Sequence, residues 1–315
     1  MIELYRQGFV YRDLGSAAAD HRDLLQGHPD DRTSRGAALM NALRNAQHFR
    51  LIAVLMMLGL AAFPIYWMFV TSMTPSSELF ADAPRLWPNW SQIGIYLEVF
   101  STIPVARWLR NSFLVAAGTT ILSILLAVLP AYALSRFRFA GLAVLGFALF
   151  ATQMLPEAML VVPLYSIFGD LNLLDSILGL VLANTAFVVP VITWIIKGAI
   201  DSIPIEIEEA ARVDGCSRFD IVLGIVVPLI APTLAAAAVI SFFHGWNEYV
   251  FAQTLVSSES LRTASVGLAS FVGELSTPIH SVMAVGVIYT LPAVVFYLFA
   301  QRYVVAGMTA GSVKG

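Results

Sequence analysis

One polar segment between two apolar runs gathers acidic and small residues at close spacing: Lys197-Gly-Ala-Ile-Asp-Ser-Ile-Pro-Ile-Glu-Ile-Glu-Glu-Ala-Ala-Arg-Val-Asp-Gly-Cys-Ser-Arg-Phe-Asp220. Ser202 is suited to cap a short helix with Pro204 in its first turn. Glu206, Glu208 and Glu209 then lie near the end where the helix dipole favours negative charge. Ala210, Ala211 and Val213 sustain the helix, and Gly215 supplies the left-handed residue that ends it. The chemistry offered is recognition. Ile205, Ile207, Ala211 and Val213 form no single apolar stripe, which argues against a helix lying on a membrane. A short helix of small and acidic residues suits a groove on another protein.

A second set of polar residues lies inside apolar runs, where such groups are costly and face a cavity or a partner. Glu157 follows Pro156, and Gln153 lies four residues earlier, on the same helix face. Asn184, Thr185 and Trp194 belong to the next run. Trp246, Asn247 and Glu248 close a later one beside Tyr249. Amides and carboxylates next to aromatic faces are what a sugar-binding path needs. The competing reading puts Glu157 near the outer interface and makes Trp246 and Tyr249 interface aromatics.

The elements that must hold these residues are membrane spans. The chain has 315 residues, 58% hydrophobic and 12% charged, about half the charged fraction of a soluble domain. A bilayer core of about 30 Å takes roughly 20 apolar helical residues to cross. Six runs qualify, at about 51–73, 112–135, 141–168, 176–196, 221–246 and 281–300, with Trp108 an alternative start for the second. None alternates as a barrel strand does. The expectation is an all-α polytopic bundle of six transmembrane helices with a short cytoplasmic helix between the fourth and fifth.

Lys and Arg set the orientation. Arg32, Arg35, Arg44 and Arg50 precede the first run, Arg136 and Arg138 fill the second–third loop, Lys197, Arg212 and Arg218 the fourth–fifth, and Arg302 and Lys314 follow the last. The opposite side holds Arg85, Arg107, Arg110 and Arg262. Both termini are therefore expected in the cytoplasm, with residues 1–50 as an N-terminal tail and 307–315 as a C-terminal one. The first apolar run starts too far along to be a secretory signal. The net charge of −3 leaves no footprint for nucleic acid, and one cysteine, Cys216, excludes an internal disulfide.

The loop motif carries a resemblance. Glu209-Ala210-Ala211, three residues, Gly215, nine residues, Ile225, one residue, Val227-Pro228 resembles the EAA loop of ABC importer permeases, with Val227 where that family usually has leucine. Met154-Leu-Pro156, Pro163-Leu-Tyr165, Leu173-Leu-Asp175, Gly179-Leu180, Trp194, Ser202-Ile-Pro204, Asp214-Gly215, Trp246-Asn247 and Gln301-Arg302 resemble its carbohydrate branch. The ending Gly307–Gly315 is similar to the tail of the second permease of maltose-type transporters. The resemblance implies a non-catalytic membrane subunit of a bacterial or archaeal inner membrane, without a cofactor. It implies a second homologous permease, two nucleotide-binding ATPase subunits, an external solute-binding protein and a carbohydrate as partners. It also implies an ATPase-coupling loop containing Glu208, Glu209, Ala210, Ala211, Asp214, Gly215, Arg218 and Pro228, and a tail reaching the ATPase with Gly311 and Lys314.

Other classes are less well served. No GxxxxGK[ST] loop, nucleophile elbow or metal-spaced His/Glu set is present. An ion-coupled transporter needs intramembrane charges, and Glu157 alone offers one. A permease of the same type for glycerol phosphate, a polyol or an amino acid stays open.

Overall fold

The computed structural model describes residues 29–271 and 279–310, with side chains from 48 to 301. The chain forms two compact units, Met1–Tyr66 and Trp67–Gly315. The elements in order are α1 (Pro29–Ser72), α2 (Ile95–Thr102), α3 (Val105–Arg136), α4 (Leu142–Thr152), α5 (Glu157–Asp170), α6 (Ile177–Asp201), α7 (Ile205–Val213), α8 (Arg218–Leu229), α9 (Ala231–Asn247), α10 (Val250–Leu255), α11 (Ala264–Ser270) and α12 (Ile279–Ala310). No strand occurs among the described residues.

Among the described residues four helices are long and apolar enough to cross a membrane: His48–Ser72 within α1, α3, α6 and Ile279–Gln301 within α12. Two bent pairs raise the count to six if each is one span. In the first unit Leu51, Ile52, Leu55, Met57 and Leu60 all point outward, a surface suited to lipid tails. α1 starts at Pro29, well before the apolar run, because Ala37 to Leu43 are nearly all strong helix formers.

The run expected as one helix over 141–168 is instead α4 and α5, bent by 99°. Pro156 has no N–H to donate, and it disfavours helical geometry at Leu155 before it. Gln153 closes α4 and Glu157 opens α5, so the two do not share a helix face. The run expected at 221–246 is likewise broken, by 79°, between α8 and α9. Pro232 removes the N–H that would have reached the Pro228 carbonyl. A π turn occupies Val222–Val226 inside α8. The second run begins at Val105, earlier than 112.

Within the second unit α3 packs on both α6 and α9. The α3–α9 seam is made of small residues. Ala116, Thr119, Ser123 and Ala127 are fully buried on α3, as are Ala237 and Ser241 on α9. Ser123 Oγ and Ser241 Oγ meet at 2.8 Å. Without a solvent-driven hydrophobic force in lipid, such residues let backbones approach and hydrogen bonds join them. Gly245 continues the seam, and a Cβ there would stand 2.9 Å from Ala116 Cα. Where α7 meets the bundle, a core of Tyr132, Ile192, Ile196, Ile200, Ala211 and Ile221 closes the same unit.

At the opposite end of α3, Asn111 Nδ2 donates to the Ser260 and Arg262 carbonyls at 3.0 Å each. Nearby, Asp175 sits at φ +50 and receives the amides of Ser257 and Ser258 at 3.1 and 2.9 Å, together with the Ser258 hydroxyl. Those bonds, the hydroxyl first, hold its carboxyl below the usual carboxylate range. A depressed folded value means a contribution present in full above about pH 4 and lost as pH falls through the lowered value. Asp175→Asn is expected to speed amide exchange at Ser257 and Ser258 at neutral pH. Wild-type exchange should approach the variant's only on acidification. Equal exchange at pH 7 would show that the carboxylate does not hold the loop.

Candidate coupling site

α7 is a nine-residue helix whose two faces do different things. Pro204 occupies its N-cap position. The cap expected from Ser202 is absent, because the Ser202 hydroxyl donates instead to Ala199 O at 2.7 Å. Gly215 has φ +89, the left-handed conformation expected of it. Its N–H reaches the Arg212 carbonyl at 3.1 Å and that of Cys216 the Ala211 carbonyl at 3.0 Å. Cys216 itself is exposed. Ser217 and Asp220 form a capping box that starts α8.

The inner face is Glu208 and Ala211, three residues apart. Glu208 is 2% exposed. Its Oε1 accepts from Arg136 Nε at 2.6 Å and its Oε2 from the Tyr132 hydroxyl at 2.8 Å. Arg136 also donates from Nη2 to Ile203 O at 2.8 Å. A buried carboxylate persists only with such partners, and removing one leaves an uncompensated charge at a cost of about 3–5 kcal/mol. Glu208, grouped from sequence with the outward coupling residues, is therefore turned inward and engaged within the chain.

The outer face carries Glu209, with a side chain 61% exposed, and the exposed Ala210. Glu209 lies 3.8 Å from Arg212 Nη2, itself exposed, a pair worth little in water. Val213, four residues on, is 88% exposed, and Phe219 is 60% exposed. An exposed apolar residue one turn from an exposed carboxylate makes a small mixed surface of the kind protein partners cover. Val213 was read from sequence only as a helix-sustaining residue and Phe219 was given no role, although the i, i+4 spacing from Glu209 to Val213 carried the signal. Asp214 closes α7 and is exposed. Arg218 lies 4.8 Å from the Phe137 ring. Pro228 is exposed on α8. Gly311 and Lys314 lie outside the described residues.

The polar residues of the spans divide. Gln153 and Glu157, on different helices, line one cavity of about 350 Å³ with Pro156, Phe187, Ile240 and His244. Glu157 Oε1 stands 3.8 Å from His244 Nε2. Gln153 Nε2 donates to Phe187 O at 3.0 Å. His244 was not foreseen as a member. Trp194 lines a larger cleft of about 910 Å³ with Phe147, Phe150, Arg138 and Lys197. The remaining residues make contacts within the chain. Asn184 and Thr185 are buried and donate to carbonyls one turn back. Trp246 is buried and stacks on Phe242 and Tyr289. Asn247 receives the Tyr289 hydroxyl at 3.3 Å. Both oxygens of Glu248 are taken by the amides of Phe251 and Ala252, at 2.5 and 3.0 Å, which starts α10.

A helical membrane bundle with broken spans and a short two-faced helix projecting between two of them is the architecture of an ABC transporter permease, a subunit without catalysis of its own. The chain belongs to the family described as "Binding-protein-dependent transport system inner membrane component", which it matches over residues 120–310. It is 34% identical over 276 residues to the sulfoquinovosyl glycerol transport system permease protein SmoH of Agrobacterium fabrum, covering 88% of this chain and 97% of that one. It is 32% identical over 274 residues to the trehalose transport system permease protein SugB of Mycobacterium tuberculosis, covering 86% and 99%. Among solved structures, a chain of a bacterial ABC transporter involved in the import of the acidic polysaccharide alginate shares the fold. It superimposes with a TM-score of 0.72 at 23% identity, over 82% of this chain and 96% of that one.

Proposed function

We propose that this chain is one permease half of an ATP-driven, binding-protein-dependent carbohydrate importer. It pairs with a second, similar permease above two nucleotide-binding subunits, docks on one of these through the outer face of α7, and takes solute from an external binding protein. Both termini face the cytoplasm, with residues 1–50 and 307–315 as cytoplasmic segments flanking the transmembrane domain. The observation that carries this reading is the division of α7: one carboxylate is locked inside the bundle, and the next, Glu209, is exposed one turn from Val213. Relatives named for trehalose and sulfoquinovosyl glycerol transport support a carbohydrate as solute. The cavity of Gln153, Glu157 and His244 is the solute-facing part of this half, since amide, carboxylate and imidazole groups beside Phe187 suit sugar hydroxyls and a sugar face.

The test is ATP hydrolysis by the complete complex in lipid vesicles, with its binding protein loaded or empty. Carbohydrate-loaded protein is expected to stimulate hydrolysis and drive uptake. Stimulation by an amino acid or glycerol phosphate receptor, with none by a carbohydrate one, removes the sugar assignment.

A further inference from the structure

We propose that Arg136 and Tyr132 are positioning residues that fasten α7 to α3, so that a displacement of α7 moves α3 and α6 as one body. This rests on the reading above, in which α7 receives the push of ATP-driven closure.

The covalent chain does not make that connection. α7 joins α6 through Ser202–Pro204 and α8 through Asp214–Ser217, the latter turned at Gly215 with φ +89. Force arriving on α7 through these links alone reaches α6 and α8. Yet α3 lies 66 to 76 residues away from the relevant partners in sequence and is the helix against which α6 and α9 both pack.

The structure supplies the missing tie from one turn at the end of α3. Tyr132 and Arg136 each take one oxygen of Glu208, at 2.8 and 2.6 Å. Arg136 also holds the connecting link at the Ile203 carbonyl, at 2.8 Å. Between them, Ser135 Oγ donates to Asp201 Oδ1 at 2.6 Å, and Lys197 Nζ holds Asp201 Oδ2 at 2.6 Å. Three consecutive parts of the chain, the end of α6, the link and the inner face of α7, are thus bonded to one turn of α3. Glu208 is 2% exposed and the Arg136 side chain 12%, so water competes poorly for these bonds. A two-state transporter needs rigid bodies that switch together, and a tie of this kind prevents α6 from sliding along α3 while α7 moves.

A staple that served folding alone would affect stability and leave coupling intact, so the decisive readout is solute imported per ATP hydrolysed. The complete complex in vesicles is compared with versions carrying Arg136→Lys, Glu208→Gln or Tyr132→Phe. Lysine keeps the charge but cannot bond Glu208 and Ile203 together as the guanidinium does. Each variant is expected to retain the ATPase subunit on purification and to import about five-fold less solute per ATP, or worse. Tyr132→Phe, which removes one hydroxyl from an otherwise unchanged ring, is expected to be the mildest and to fold even where the others do not. An unchanged ratio in a folded Tyr132→Phe and Arg136→Lys complex overturns the proposal. So does loss of the ATPase subunit from Glu208→Gln, which would make Glu208 a docking residue. Glu209→Ala is run in parallel: if it retains the ATPase subunit as the wild type does, the docking reading itself fails, a result separable from the behaviour of Arg136 and Tyr132.

Discussion

Glu209→Lys is expected to abolish uptake and to release the nucleotide-binding subunit during purification. Glu209 is exposed and its nearest cation, Arg212, stands on its own helix at 3.8 Å. Among the described residues its one ion pair is this exposed one, worth little to the fold, so the variant's thermal unfolding should match the wild type. When a partner cleft closes over such a carboxylate, water is removed and the charge must find a cation there. Losing one partner of a desolvated charge pair costs about 2–5 kcal/mol, and each 1.4 kcal/mol is a factor of ten in affinity. Reversing the charge adds repulsion to that loss. Val213→Ser, on the same face, should weaken association more modestly by removing apolar contact. Binding of the ATPase subunit to the immobilised chain measures both, and unaltered affinity in Glu209→Lys would remove α7 from the docking surface.

Gly245→Leu is expected to destabilise the bundle by about 3 kcal/mol or more, at the upper end of overpacking costs. The atom met by even a single added carbon is Ala116 Cα at 2.9 Å, with Ala116 N at 3.4 Å and Thr119 Cβ at 3.5 Å. The first two are backbone, which cannot swing aside as a side-chain tip can. The α3–α9 seam would have to open, exposing the Ser123–Ser241 bond. Gly198→Ala is the informative contrast. Its Cβ meets nothing within 4 Å on α6, so replacing glycine inside a helix should stabilise by about 0.5–1 kcal/mol. Unfolding midpoints in the same detergent rank the three proteins, and a Gly245→Leu midpoint equal to wild type contradicts the packing described for the seam.

The spans and the loop helix were legible because both are local. Twenty apolar residues in a row need no distant information to be recognised, and Gly215 at a fixed distance from Glu209 encodes a turn whose backbone angle the structure bears out. The breaks at Pro156 and Ile230 were harder. Proline lowers helicity at a point, but only packing decides whether a span kinks slightly or turns by 99°. The distinction between Glu208 and Glu209 was beyond reach from the loop alone. Two adjacent acidic residues look alike until Arg136, 72 residues earlier, is brought against one of them. The same holds for the solute-facing residues. Gln153 and Glu157 do share a cavity, though through a sharp bend and not through a common helix face, and Glu248 proved to be committed to the amides that start α10.

Cys216 is the one thiol in 315 residues, and it is exposed directly beyond Gly215. The native chain is therefore already a single-site substrate for maleimide chemistry, with no background cysteines to remove. Modification by a membrane-impermeant reagent reports which side of the bilayer bears α7, and a fluorophore attached there tests, through its polarity and accessibility, whether a partner engages beside Glu209.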